Sequence, residues 1–226
     1  MSTSLKAATG VLGVGTAAAG GTLAYKELTK PATHLIKDLL VTKNPRKRLI
    51  AKSEDGSSAE WKAAWKLYAT SYKEHNKNPF SLTLAKPTET LDGSQNAPVE
   101  FMDKCESLVK ERVLNEGDDK YQGVLQYCTR ATLVSDLISE NHPSKKVLSK
   151  TEAGSSAGWK RAWSSYKIYN TDKTKDKDTW KLSDWESQSG DDAPESFKTK
   201  CEEKVKVEAF ELSNEDYLNA VKWCTQ

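Results

Sequence analysis

The sequence predicts an all-α protein with two tandem helical repeats that follow an N-terminal hydrophobic helix. Three observations support this fold class: an internal sequence repeat, aromatic residues at helical spacing in both copies, and a charge-free stretch before the first copy. Residues 33–84 match the chain 98 residues later at 18 of 52 positions, and residues 88–130 match it 96 residues later at 11 of 43. We therefore assign 1–30 to a signal or membrane-anchor segment, 31–130 to repeat 1 and 131–226 to repeat 2.

The amino-acid composition limits how the core can be built and which partners are expected. A net charge of +2 over 226 residues supplies no strongly basic field, so we predict no nucleic-acid partner. Hydrophobic residues make up only 37% of the chain, and its mean hydropathy is −0.70. Each repeat is therefore expected to build its core largely from aromatic side chains, each of which covers a large area.

The segment before the repeats contains an uncharged stretch over residues 7–25. This length is close to the roughly 20 residues that span a bilayer as a helix. One hypothesis is a secretory signal that is cleaved near the small residues 17–19. A second is an uncleaved membrane anchor whose small residues suit close helix packing, and a third is a soluble Gly/Ala-rich tail. The first two hypotheses place the protein at the cell membrane or outside the cell.

An apolar turn opens each repeat and predicts a short helix. Pro45 or Pro143 follows the turn, and proline commonly follows the end of a helix. The apolar residues are Leu35, Ile36, Leu39 and Leu40 in repeat 1, and Leu133, Val134, Leu137 and Ile138 in repeat 2.

A basic run spans residues 43–48, on both sides of Pro45. Its cations could bind phosphate groups or anionic lipid. A solvated loop beside a proline is the simpler interpretation, and it is the one we favour.

The second helix of each repeat begins after a Gly-Ser-Ser-Ala loop. Ser57 and Glu60 have the spacing of a capping box, and repeat 2 loses the acid because Gly158 replaces it. Aromatic rings follow at helical spacing, which places them on one face of the helix. We predict that this stripe is structural core rather than a ligand platform. The rings are Trp61, Trp65, Tyr68 and Tyr72 in repeat 1, and Trp159, Trp163 and Tyr166 in repeat 2.

The copies diverge most over residues 75–96 and 171–192. The polar, proline- or serine-bearing composition is typical of surface loops, which often carry binding function. Trp180 and Trp185 occur only in repeat 2 and mark our candidate variable interaction loop. The alternative is an unconstrained linker that has drifted in sequence.

The copies converge again at a proline that predicts the start of a third helix. Asn96 stands two residues before Pro98, and Asp192 two residues before Pro194. Such residues favour an N-cap, with the proline in the first helical turn. A polar turn and a last helix complete each repeat, which gives three to four helices per repeat.

The four cysteines are the strongest chemical signal, because Cys105 and Cys128, like Cys201 and Cys224, are separated by 23 residues. The predicted turns lie about eleven residues from each sulfur, so an antiparallel helical hairpin would bring each pair together. One disulfide per repeat is the leading hypothesis; it would contribute about 3 kcal/mol and implies an oxidising compartment. Reduced cysteines packed in the core are the alternative. A zinc site is less favoured, since no Cys-x-x-Cys motif is present.

Nothing in the sequence indicates catalysis, a cofactor or a metal. The histidines, His34, His75 and His142, occupy non-equivalent positions of the repeat. Motifs of zinc proteases, serine hydrolases and phosphate-binding loops are missing from the sequence. We therefore predict a non-enzymatic protein.

Several motifs resemble the paralogous families of uncharacterised proteins of haemotropic mycoplasmas. They are Gly-Ser-Ser-Ala-x-Trp-Lys-x-Ala-Trp, the run Trp180-Lys-Leu-Ser-Asp-Trp185-Glu, and Ala193-Pro-Glu-Ser-Phe197-Lys-x-Lys-Cys201. Repeat 1 departs from the pattern because it lacks both middle tryptophans. The resemblance spans nearly the whole chain and implies no activity. It implies a lineage-specific protein of the kind that is often exported or surface-exposed and antigenically variable.

Two functional hypotheses follow. The first is a membrane-associated or exported module that displays two helical repeats, with a host protein as a candidate partner. The second is an intracellular scaffolding protein, tethered to the membrane, whose cysteines are reduced.

Overall fold

The computed structural model describes residues 31–72, 78–83 and 91–226, and over these ranges the protein is mostly helical. The mainly α-helical prediction is confirmed. The predicted N-terminal helix over 7–25 lies outside the described residues. None of the described helices is both long and apolar enough to cross a membrane.

Within the described residues, each repeat contributes four helices in the same order along the chain. The elements of repeat 1 are β1 (His34–Leu35), α1 (Ile36–Lys43), β2 (Lys47–Leu49), α2 (Ala59–Tyr72), α3 (Val99–Leu108), β3 (Arg112–Val113), α4 (Asp119–Tyr127) and β4 (Thr129–Ala131), whose last residue is the first of repeat 2. The elements of repeat 2 are α5 (Val134–Asn141), α6 (Ala157–Tyr169), a 3₁₀ turn (Trp185–Ser187), α7 (Glu195–Val205) and α8 (Glu215–Trp223).

Short antiparallel strand pairs connect the loops, and an all-α prediction does not contain them. Strand β1 pairs with β3, where Leu35 lies opposite Arg112, and β2 pairs with β4. The equivalent contacts in repeat 2 are two isolated bridges, Leu133 with Glu208 and Val147 with Thr225. Strands of two or three residues are too short to produce a period-2 hydrophobic pattern, so the sequence does not reveal them.

Each repeat has its own hydrophobic core. One cluster of buried residues runs from Ile36 to Cys128, and the other runs from Val134 to Cys224. The last helix of each repeat, α4 or α8, packs against the three other helices of that repeat. The residues from His34 to Gln226 nevertheless form one compact unit, so two cores lie within a single body.

The N-cap of helix α2 lies one residue later in the sequence than predicted. The Oγ of Ser58 accepts the backbone N–H of Trp61 at 3.2 Å, so Ser58, and not Ser57, caps the helix. The predicted capping box of Ser57 with Glu60 is therefore wrong. Ser156 caps α6 in the same way.

The third helix of each repeat also begins later than predicted. Pro98 and Pro194 occupy the N-cap positions of α3 and α7, with extended backbone conformations, instead of the first helical turn. Asn96 and Asp192 therefore do not cap these helices. The alanine just before each proline, Ala97 or Ala193, is instead held by a backbone hydrogen bond to a glycine that is distant in the sequence.

Gly56 and Gly154 make this contact. The backbone N–H of Ala97 donates to the carbonyl of Gly56 at 3.1 Å, and that of Ala193 donates to the carbonyl of Gly154 at 3.0 Å. A Cβ atom on either glycine would stand 2.1 Å from the carbonyl oxygen of the same alanine. Only glycine permits this approach, which fixes the loop before the second helix against the start of the third.

We expect Gly154→Ala to lower the free energy of unfolding by about 1–3 kcal/mol, because the two backbones must separate. Gly56→Ala should cost more, since Gly56 also has a φ of 64°, where an added side chain costs about 1–2 kcal/mol. Urea denaturation measures both losses. Gly190→Ala is the matched control, because its Cβ would meet no atom within 4 Å. Equal stability of the Gly154 and Gly190 variants would contradict the close approach.

Candidate functional site

The structure brings each cysteine pair to disulfide distance, as predicted. The Cα atoms of Cys105 and Cys128 are 5.6 Å apart, and those of Cys201 and Cys224 are 5.4 Å apart. Both separations lie within the range of about 4.4–6.8 Å that a disulfide requires. The sulfur atoms within each pair are bonded, and neither pair crosses between the repeats.

The backbone that joins the paired cysteines departs from the antiparallel helical hairpin that the sequence predicts. Residues 109–118 separate α3 from α4 and contain strand β3. Cys105 lies in the last turn of α3, and Cys128 is the C-cap of α4. The equal spacing from a turn therefore predicted the correct cysteine pairs, but the backbone arrangement that it assumed is wrong.

The predicted aromatic stripes are buried, except for two residues of repeat 1 that are only partly buried. Trp163 and Tyr166 of repeat 2 are completely buried, and so is Tyr68 of repeat 1. Trp65, the counterpart of Trp163, is only partly buried at the edge of its core. The remaining stripe residues, Trp61 and Trp159, are buried, and Tyr72 is partly buried.

Tyr68 organises the middle segment of repeat 1. Burial raises the pKa of Tyr68 to about 12, so the phenol stays neutral and keeps its proton at physiological pH. Its hydroxyl donates to Oδ1 of Asn78 and accepts the backbone N–H of Phe80 at 3.1 Å. Asn78 closes the turn, since its Oδ1 also accepts the N–H of Leu82 at 2.9 Å.

Tyr166 does the same in repeat 2, with an aspartate in place of the asparagine. Its hydroxyl donates to Oδ2 of Asp178 at 2.5 Å and accepts the N–H of Trp180 at 2.9 Å. Burial, followed by the Asp178 carboxylate, raises the pKa of Tyr166 above its usual value. The middle segments are therefore equivalent at an offset of 100 residues, with Phe80 in the position of Trp180.

Trp180 and Trp185 are core residues, so the hypothesis that their rings form an interaction loop is wrong. Trp180 is 7% exposed and Trp185 is 1% exposed. Trp180 stacks on Phe197 with ring centroids 5.6 Å apart, and Nε1 of Trp185 donates to the carbonyl of Asp172 at 2.7 Å. The polar residues around them suggested exposure, but a repeat with few aliphatic residues gains more from burying two indole rings.

The aspartate at 178 leaves a testable imperfection in the core of repeat 2. Asp178 is 3% exposed, and its Oδ1 has no hydrogen-bond partner among the described residues. In repeat 1 the corresponding Asn78 donates from Nδ2 to the carbonyl of Leu82 at 2.7 Å.

We therefore expect Asp178→Asn to raise the free energy of unfolding by about 1 kcal/mol, because a buried charge is replaced by an amide that can donate. The reciprocal change Asn78→Asp should destabilise repeat 1. Urea denaturation at pH 7 compares the two variants with the wild type. A loss of stability in the Asp178 variant would show that its carboxylate is better accommodated than the geometry indicates.

Two arginines of the basic run lie at the joint between the repeats, so the interpretation as a solvated loop is incomplete, although Lys43 and Arg46 are exposed. The guanidinium of Arg48 makes two hydrogen bonds to the carboxylate of Glu140, from Nε at 2.7 Å and from Nη2 at 2.8 Å. Arg46 lies over the ring of Phe210, 4.1 Å from its centroid. Both partners belong to repeat 2, so the cations near Pro45 contact protein rather than solvent alone.

A second paired arginine lies at the same joint. Nη1 and Nη2 of Arg130 donate to the two carboxylate oxygens of Asp136 at 2.5 and 2.8 Å. Oδ2 of Asp136 also accepts the N–H of Leu133 at 2.8 Å. Burial acts to raise the pKa of Asp136, but the hydrogen bonds from Arg130 and Leu133 outweigh it and hold that pKa below its usual value.

This pKa shift predicts a dependence of stability on pH. Because the folded pKa of Asp136 is depressed, its stabilising contribution is present above the unfolded value of about 3.9 and is lost as the pH falls through the folded pKa. We expect Asp136→Asn to lower Tm at pH 7 and to flatten its decline below pH 4. Thermal denaturation from pH 7 to pH 2 measures this, with Asp191→Asn as the exposed control. An unchanged acid slope would contradict the assignment.

A cavity of about 440 Å³ opens beside the half-buried Trp65. Its lining includes Leu82, Pro98, Glu100 and Phe101. The volume lies within the usual range of about 300–1,000 Å³ for ligand pockets. This cavity is the candidate functional site of the described part of the chain. The sequence did not reveal it, because both repeats carry a tryptophan at the position of Trp65 and therefore look alike.

In repeat 2 the corresponding tryptophan is covered. The ring of Trp185 packs edge-on against Trp163 with centroids 5.9 Å apart, and against Tyr166 with centroids 5.6 Å apart. Lys173 lies over the ring of Trp185, 3.4 Å from its centroid. The two repeats thus present one framework in an open and a covered form.

Comparisons with known proteins do not identify a relative. No protein-family model matches the chain, and no curated protein or solved structure is significantly similar to it. Within residues 31–72, 78–83 and 91–226, no group of three or more His, Cys, Asp or Glu side chains is placed to hold a metal ion.

Proposed function

We propose that the chain is a non-enzymatic interaction module, exported or associated with the cell membrane, that displays two disulfide-bonded helical repeats to a partner such as a host protein. The observation that carries the proposal is the pair of local cysteine links at disulfide distance. Lasting disulfides form in oxidising surroundings. Bonds that close each small aromatic core from within suit a protein that functions outside the reducing cytosol.

Two further features support display. The charge-free stretch over 7–25 has the length of a signal or anchor segment. The resemblance to haemotropic-mycoplasma families also favours a surface or antigenic role. A frame shared by both repeats, with one open and one covered pocket, supports recognition as the role of the displayed part.

Surface proteolysis of intact cells tests the display. We expect an externally added protease to remove the repeats from intact cells, while a cytosolic marker protein in the same sample stays whole. Protection of the chain until the cells are lysed would overturn the proposal.

The alternative is an intracellular, membrane-tethered scaffold with reduced cysteines. It is favoured by the burial of all four sulfurs, because free cysteines pack well as small hydrophobic residues. Thiol counting separates the two: acid-quenched native protein that is denatured and alkylated should show no free thiols under the display proposal. Four alkylated thiols would support the scaffold.

A further inference from the structure

We infer that the cavity beside Trp65 binds an aromatic side chain of a partner polypeptide that carries a lysine or arginine immediately before the aromatic residue. This inference deepens the proposed function and depends on it for the existence of a partner. It begins from the difference between the two repeats at one position. Trp163 is completely buried under Trp185, whereas Trp65 is half-buried beside an open cavity.

The cavity lining corresponds to the surroundings of Trp185. The lining residues Trp65, Pro98 and Phe101 are equivalent to Trp163, Pro194 and Phe197, at offsets of 98 and 96 residues. Leu82 is equivalent to Leu182, at an offset of 100. Leu182 is 3% exposed, but Leu82 is only partly buried, as expected where a covering ring is missing.

Repeat 2 therefore shows what the framework accepts. An indole ring packs edge-on against the stripe tryptophan and donates its N–H to a backbone carbonyl. Edge-to-face contacts of this kind are a preferred arrangement of aromatic rings. In repeat 1 the position equivalent to Trp185 at an offset of 100 residues is Ala85, and the stretch 84–90 contains no aromatic residue. This stretch of the sequence therefore supplies no aromatic residue equivalent to Trp185.

The charge of the ligand follows from one substitution on the rim. In repeat 2, Oγ of Ser196 donates to Oδ1 of Asp184 at 2.6 Å, and Asp184 directly precedes Trp185. The residue equivalent to Ser196 is Glu100, an exposed carboxylate on the cavity rim. An aspartate before the aromatic residue would be repelled there, whereas a lysine or arginine would be attracted.

Titration calorimetry on the full-length chain tests this with three peptides. The acetylated amides Ser-Lys-Trp-Glu, Ser-Asp-Trp-Glu and Ser-Lys-Ala-Glu differ only in the cation and the ring. We expect the Lys-Trp peptide to bind about tenfold more tightly than the Asp-Trp peptide, and the alanine peptide not to bind. In Glu100→Ser, which copies repeat 2, the preference for lysine should disappear. Glu100 is exposed, so this variant is expected to fold as the wild type does.

The variant Trp185→Ala supplies an independent comparison, because it opens the matching cavity in repeat 2. That second cavity should bind free indole in this variant, because only the ring is missing and Asp184 still accepts from Ser196. Three results would overturn the inference: no binding of any peptide by folded wild-type protein, a lysine preference that survives Glu100→Ser, or free indole binding as tightly as the Lys-Trp peptide. The last result would assign the cavity to a free aromatic molecule.

The outcomes remain distinct from those of the display test. The chain could be protected from protease in intact cells and still select the Lys-Trp peptide. That result would contradict the surface location and support the ligand. If the chain is exposed at the surface but binds none of the peptides, the display proposal is supported and the proposed ligand is contradicted.

Discussion

Trp163→Ala should lower the free energy of unfolding by about 3–5 kcal/mol, the usual range for emptying a large buried aromatic site. The ring of Trp163 is completely buried. It packs against Phe197 with centroids 5.1 Å apart and beneath Trp185. Removing it leaves a cavity that Tyr166 and Trp185, each held by a side-chain hydrogen bond, cannot fill by small movements.

Trp65→Ala is the matched comparison within the same chain. The sequence alone predicts equal losses, because the two tryptophans occupy equivalent positions of the stripe. The structure predicts a smaller loss for Trp65, because part of its side chain is already in contact with solvent. Urea unfolding followed by far-UV circular dichroism measures both. Wild-type stability of the Trp163 variant, or equal losses, would contradict the difference in burial between the repeats.

Replacing Cys201 and Cys224 together by alanine should cost about 3 kcal/mol, since closing a loop of this length restricts the unfolded chain by about that amount. The bonded pair is separated by 23 residues. The same loss is expected for Cys105 and Cys128, which have the same separation.

The test compares wild type and both double variants in urea, with and without a phosphine reductant. The reductant should destabilise the wild type by more than it destabilises either double variant, because each variant retains one bond. A wild type indifferent to reductant would show that its cysteines are already reduced. Non-reducing peptide mapping provides the control, and a peptide that joins Cys105 to repeat 2 would contradict local pairing.

The sequence predicts much of the framework because framework residues must satisfy constraints that are local. The spacing of Trp61 and Tyr68 places both on one helix face whatever surrounds them. The apolar turn that contains Ile36 and Leu40 predicts a buried helix for the same reason, and both are buried. Equal cysteine separations likewise predicted the correct pairs, although the connecting backbone differs from the hairpin assumed.

Helix boundaries and the middle segments required the tertiary structure. The cap at Ser58 and the N-cap at Pro98 depend on how distant loops meet at Gly56 and Ala97. Alignment without gaps also misplaced the middle segments, because the hydrogen bonds of Tyr68 and Tyr166, and not sequence identity, define the equivalence of Phe80 and Trp180.

The sequence by itself determined the helical character, the two copies and the cysteine partners, because each depends on spacing along the chain. Only the tertiary structure decided which groups are exposed. It buried Trp180 and Trp185 inside a polar segment and left Trp65 half-open inside an apolar stripe. It also paired Arg48 with Glu140 across the joint. Burial and ion pairing depend on residues far apart in the chain, and no local pattern records which of them come together.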